Sequence, residues 1–125
     1  MKLQESGENY LETILMIQQE KGTVRSIDVA RQLDFSKPSI SRAMTVLREN
    51  GYILMDKSGL ITLTELGYEV ASQIYERHRL LTQWLIALGV TPAVAAADAC
   101  RMEHDVSEET FQKLKEHIGV PGERE

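Results

Sequence analysis

Apolar residues recur at helical spacing over residues 8–20, where Tyr10, Leu11, Ile14, Leu15 and Ile17 share one stripe. Ser6 is the expected N-cap and Lys21-Gly22 the expected stop. A short helix over 26–33 follows, with Ser26 as its cap and Asp28 in its first turn. After a turn at Asp34-Phe35, Ser36 caps a third helix that carries Pro38 in its first turn, where a missing N–H does no harm. That helix runs to Gly51, with Ile40, Met44 and Leu47 inward and Ser39, Ser41, Arg42 and Thr45 outward. In YILMDKSGLITLT two β-prone runs flank Asp56-Lys57-Ser58-Gly59, which predicts a hairpin. Thr64 then caps a long helix ending near Gly89, with Leu66, Val70, Ile74, Leu81, Trp84, Leu85 and Leu88 as its apolar stripe. Thr91-Pro92 opens another helix, and Ser107 caps a last one to about Ile118, stopped by Gly119 and Pro121 before a frayed GERE end.

Helix, short helix, turn, polar helix and β-hairpin, in that order, spell a winged helix-turn-helix. The pattern therefore predicts a mainly α protein, with a winged helix-turn-helix over residues 1–63 and an all-helical domain over 64–125.

Charge sharpens this picture. The chain of 125 residues carries a net charge of −5, yet between Arg25 and Lys57 six cations face four anions. One locally basic segment thus sits inside an acidic protein, on the part that resembles a DNA reader. The single cysteine can form no internal disulfide and suits a reducing cytosol, so a cytoplasmic protein is expected. The start MKLQESGENY has no signal-peptide core, and no apolar run reaches the ~20 residues of a membrane span. A membrane partner is therefore not expected.

Chemistry concentrates at Cys100, Glu103 and His104, spaced i, i+3 and i+4 on one helix face. A thiol, a carboxylate and an imidazole make a partial coordination sphere for a divalent transition metal. The same spacing also describes a buried cysteine with Glu103 and His104 toward solvent. His78, within ERHR, reads alone as a solvated histidine, and Glu12 as the polar edge of an amphipathic helix. Spacing does not say whether these groups converge.

Three stretches resemble the metal-dependent repressors related to the diphtheria toxin repressor and the manganese transport regulator. They are ENYLETI, SKPSISRAMTVLRENGYI, and ERHRLL with DACRMEHDVS. The resemblance covers essentially the whole chain, in a compact form without the SH3-like domain of many relatives. It implies metal ligands at His78, Cys100, Glu103 and His104, and at Glu12 as in manganese-type members. Asn9 stands where those members have aspartate and iron-type members methionine, and can ligate through its carbonyl oxygen without adding charge. Cys100 matches the iron-type choice, whereas Thr82 and Ala96 replace iron-type ancillary ligands, so that second site is expected to be absent or altered. A thiolate is softer than a carboxylate and favours Fe2+, Co2+ or Zn2+ over Mn2+. Affinity order alone would favour zinc or copper, so selectivity rests on geometry and availability, and the expected order is Fe2+ first and Mn2+ next.

The resemblance further implies a homodimer, joined through the helices after the wing, that reads palindromic operator DNA as a transcriptional repressor. Ser36, Lys37 and Ser39 suit phosphates at the recognition-helix N-terminus. Pro38 and Arg42 match family positions that face base edges, with a phosphate contact as the other reading for Arg42, and Lys57 in the wing would touch the backbone. No organic substrate is expected. The other readings are a metal-independent winged-helix regulator sensing another ligand, a small metallohydrolase with Glu103 as base, and an architectural DNA binder.

Overall fold

The computed structural model describes residues 5–118. The expected stop at Gly119 and Pro121 and the frayed GERE end lie outside them. The element order is α1 (Glu5–Lys21), α2 (Ser26–Leu33), α3 (Lys37–Glu49), β1 (Ile53–Met55), β2 (Ile61–Leu63), α4 (Glu65–Ala87), α5 (Pro92–Asp105) and α6 (Glu108–Ile118). The mainly α fold and the winged helix-turn-helix of the sequence pattern are both present. The described residues form two compact units that divide at Ser72/Gln73, inside α4.

In the first unit α1 packs on α2 and β2, α2 on α3, and α3 on β1. The apolar positions meant for the interior are there: Leu11, Ile14, Leu15 and Ile17 of α1 and Ile40, Met44 and Leu47 of α3 are all buried. Two helix starts differ from the sequence reading. Ser6 lies within α1 and is not its cap. Ser26 is the first residue of α2, and its end is closed by the Arg25 N–H donating to Asp28 Oδ2 at 2.9 Å. Asp28 also accepts from Lys21 Nζ at 2.9 Å, which ties the end of α1 to the start of α2. That hydrogen bond is the main reason the Asp28 carboxyl is held below its usual range.

The Ser36 cap of α3 is as expected, its Oγ accepting from the Ser39 N–H at 3.3 Å. Strands β1 and β2 pair antiparallel, Ile53 opposite Leu63, Leu54 opposite Thr62 and Met55 opposite Ile61. Gly59 closes the intervening turn at φ +89°, a conformation that favours glycine. Asp56 Oδ1 accepts from the N–H groups of Ser58 and Leu60 and from the Ser58 hydroxyl, and these bonds hold its carboxyl low. The wing is tied back to the start of α2, with the Arg25 guanidinium donating to the Ser58 carbonyl.

The Thr64 cap of α4 is also as expected. Its Oγ1 accepts from the Gly67 N–H at 3.1 Å and donates back toward the Gly51 and Tyr52 carbonyls. The apolar stripe of α4 is narrower than its sequence suggests. Ala71, Ile74, Leu80 and Leu81 are buried, whereas Leu66 and Leu88 are exposed. In the second unit Leu80, Phe111 and Ile118 form a core, with Trp84, Val106 and Leu114 packed against it. Ser107 caps α6 by accepting from the Thr110 N–H at 3.1 Å.

Candidate metal centre and nucleic-acid interface

The last two turns of α5 place Cys100, Glu103 and His104 on one face, and a ligand atom from each lies within 4.8 Å of the others. Burial reverses the bland reading of this trio. Glu103 is fully buried, the His104 side chain is 1% exposed, and Cys100 is half-buried. The face with the carboxylate and imidazole therefore points inward.

His78 joins them from α4. Its Nδ1 lies 3.0 Å from Glu103 Oε2, and its side chain is 25% exposed, not the solvated histidine of the bland reading. His104 Nε2 lies 3.4 Å from the other oxygen, Oε1. That approach does not make a hydrogen bond, and among the described residues Oε1 is buried without a hydrogen-bond partner. A carboxylate oxygen left unmatched in the interior costs roughly 1–3 kcal/mol. A divalent cation supplies the missing partner, and one sulfur, one oxygen and the imidazole nitrogens are the donor set of a borderline transition metal. The residues present thus fit a bound dication. Glu12 and Asn9 sit on α1 in the first unit, where Glu12 is buried and Asn9 half-buried. Thr82, which the resemblance sets against an iron-type ancillary ligand, carries a buried neutral hydroxyl.

Arg77 was not singled out by sequence reasoning. Its Nη1 donates to the Glu103 carbonyl at 3.0 Å and to the Val106 carbonyl at 2.6 Å. Its Nη2 donates to Glu108 Oε2 at 2.9 Å, and its guanidinium lies 5.0 Å from the Phe111 ring centroid. The Gln112 and Arg77 side chains together hold the Glu108 carboxyl below its usual range. The only available sequence signal was position: Arg77 precedes His78, and α5 ends with carbonyls that its own turns cannot satisfy.

The residues expected to meet DNA lie on α3 and the wing. Ser36, Lys37, Pro38, Ser41 and Arg42 are exposed, and Ser39 is half-buried. The Ser36 hydroxyl is already committed to the cap and to Ser39 Oγ, 2.9 Å away. Lys57 is exposed at the tip of the hairpin. Among the described residues no helix is long and apolar enough to cross a membrane.

Comparison with known proteins agrees with this geometry. Residues 2–60 match the iron dependent repressor N-terminal DNA binding domain. Residues 64–125 match the iron dependent repressor metal binding and dimerisation domain. The transcriptional regulator MntR of Escherichia coli O157:H7 is 35% identical over 108 residues, covering 86% of this chain and 70% of that protein. An HTH-type transcriptional regulator of Methanocaldococcus jannaschii is 30% identical over 115 residues, 90% of this chain and 92% of that one. The solved structure of the manganese regulator SloR superposes with a TM-score of 0.81 at 26% identity, over 97% of this chain. This chain spans 56% of the SloR chain, a little over half its length. These relatives are regulators, not enzymes, which sets the metallohydrolase reading aside. With a winged helix-turn-helix followed by a helical unit bearing a sulfur, oxygen and nitrogen cluster around a buried carboxylate, the chain belongs to the family of metal-dependent transcriptional repressors that includes the diphtheria toxin repressor and MntR.

Proposed function

We propose that this chain is a metal-activated transcriptional repressor that binds palindromic operator DNA as a homodimer, with Fe2+ as the preferred metal and Mn2+ next. The observation that carries the reading is the Cys100–Glu103–His104 cluster around a fully buried Glu103 whose Oε1 has no hydrogen-bond partner among the described residues. His78, Cys100, Glu103 and His104 would hold the ion. Glu12 and Asn9 are proposed as further ligands on the strength of the resemblance. The half up to residue 63 reads DNA and the half from 64 holds metal and the dimer contact.

SloR is a manganese regulator, which weighs toward Mn2+. The sulfur of Cys100 weighs against Mn2+ and toward a softer ion, among which Fe2+ is taken as preferred on availability. When bound, a dication offsets the mutual repulsion of carboxylates and thiolate. The chain's own residues do the rest. His78 orients Glu103 through Oε2, and His104 sits beside Oε1. Ligands contributed by α1, on the DNA-reading half, would couple metal to DNA, reciprocally and typically by 1–3 kcal/mol.

The dimer reading is supported by Ile86, Leu88 and Val94, large apolar side chains left exposed in the second unit. A two-fold dimer would set its recognition helices about 34 Å apart, or at a multiple of that spacing. Arg42 would read guanine, Ser36, Lys37 and Ser39 would hold phosphates, Pro38 would face a base edge, and Lys57 would touch the backbone from the wing.

The test is an anaerobic titration of chelator-stripped protein with Fe2+, Mn2+ and Zn2+, followed by Trp84 fluorescence and calorimetry, with DNA affinity measured in each state. Micromolar or tighter binding, abolished by Cys100→Ala and accompanied by tighter DNA binding, is expected. Equal DNA affinity with and without metal would reject the reading.

A further inference from the structure

Two consecutive residues of α4 grip the same residue of α5 in different ways. His78 meets the Glu103 side chain at Oε2, while Arg77 takes the Glu103 main-chain carbonyl. The Arg77 fork then continues to the Val106 carbonyl, just past the end of α5, and to Glu108 in the first turn of α6. Its face lies on Phe111. One guanidinium thus satisfies carbonyls that the end of α5 leaves over, and joins three helices at the turn that carries Glu103 and His104. The Arg77 side chain is only 13% exposed whereas Glu108 is 66% exposed, so the sheltered part of the grip is the pair of bonds to the Glu103 and Val106 carbonyls.

We infer that Arg77 is a positioning residue of the metal centre: it fixes the last turn of α5 against α4 so that Glu103 and His104 are presented together with His78. The inference rests on the metal-repressor reading above. Charge and position predict opposite signs here, which makes the inference testable. Arg77 is a cation near the donor cluster, so by charge alone its removal would tighten binding of a dication. By position, its removal frees the α5 end to rotate and loosens the cluster, and binding weakens. Arg77→Lys separates the two further, because lysine keeps the charge but cannot span both carbonyls with a planar fork.

The probe is Co2+ added to the chelator-stripped full chain. The readouts are the dissociation constant and the thiolate-to-cobalt absorption that reports Cys100 in the coordination sphere. Losing the partners that orient metal ligands typically costs 10–100-fold in affinity. Arg77→Met and Arg77→Lys are both expected to weaken Co2+ by about tenfold or more and to alter the spectrum. Glu108→Gln, which removes only the exposed carboxylate, is expected to leave both unchanged. Leu114→Ala, in the core that includes Phe111, serves as a control for general destabilisation. If it lowers Tm as much as Arg77→Lys, its cobalt affinity and spectrum should still match wild type. Should Arg77→Met fail to fold, Arg77→Lys decides. Unchanged or tighter cobalt binding with an unaltered spectrum in Arg77→Lys would overturn the inference, as would an equal loss in Leu114→Ala. Absence of cobalt binding by the wild-type chain would instead overturn the metal reading itself.

Discussion

Glu103→Gln isolates the carboxylate at the centre of the cluster. The substitution keeps the shape of the side chain and removes its capacity for charge. Glu103 is fully buried, with Oε2 against His78 and no hydrogen-bond partner for Oε1 among the described residues. An amide is cheaper to bury than a carboxylate, and either ring tautomer of His78 can serve one end of it. The metal-free variant should therefore be as stable as wild type or more so, by up to about 1–3 kcal/mol, the cost of an unmatched buried group. Metal reverses the ranking. A ligand at 100 times its dissociation constant stabilises by about 2.7 kcal/mol. In a chain of this size that is a rise of roughly 8–13 °C in Tm. If losing the anionic ligand weakens binding ~100-fold, the same metal concentration yields only about 0.4 kcal/mol, a shift of about 1–2 °C. The assay is thermal unfolding of chelator-treated protein, with and without Mn2+ or Co2+ at 100 times the wild-type dissociation constant. A variant that retains the full metal-induced rise would refute the assignment. A metal-free variant well below wild type would refute the claim that Oε1 is a cost in the absence of metal.

Gly67→Ala should lower Tm, although alanine in an exposed helix ordinarily gains about 1 kcal/mol over glycine. An added Cβ would run into the Tyr52 carbonyl oxygen, a backbone atom that cannot swing aside, so overpacking of about 1–3 kcal/mol outweighs the propensity gain, and an unchanged or raised Tm would count against this packing. Acid should erase the contribution of Asp28. Its folded carboxyl is held low chiefly by Lys21, so the stabilisation is present above the unfolded value near 4 and fades as pH falls through the folded one. Asp28→Asn should accordingly lose about 1 kcal/mol at neutral pH, with the gap to wild type closing below about pH 4 in urea unfolding. Arg42→Ala should weaken specific DNA binding by about 1–3 kcal/mol and relax preference at one base pair, whereas Lys57→Ala should weaken all sequences alike and lower the salt slope by about one.

Local chemistry was legible in the sequence because it depends on near neighbours. Ser36, Thr64 and Ser107 cap their helices as their residue types demand, and Ile40, Met44 and Leu47 turn inward at the spacing of one helical face. The Asp56–Gly59 turn fixes the hairpin, and the i, i+3, i+4 spacing alone gathers Cys100, Glu103 and His104. What failed was still local but had a stronger competitor. Asp28 closes α2 from inside its first turn, so Ser26 is left to begin the helix.

Tertiary structure decided which polar residues are buried, since periodicity marks a face without saying what covers it. A stripe of polar residues looks the same whether it meets water or a site. Only packing shows that Glu103 and His104 point inward, and that Leu66 and Leu88, apolar by composition, stay exposed. His78 and Glu103 stand 25 residues apart, and Arg77 reaches 31 residues to Glu108. Those pairings depend on how α4, α5 and α6 pack, a long-range choice that no residue's immediate neighbours specify.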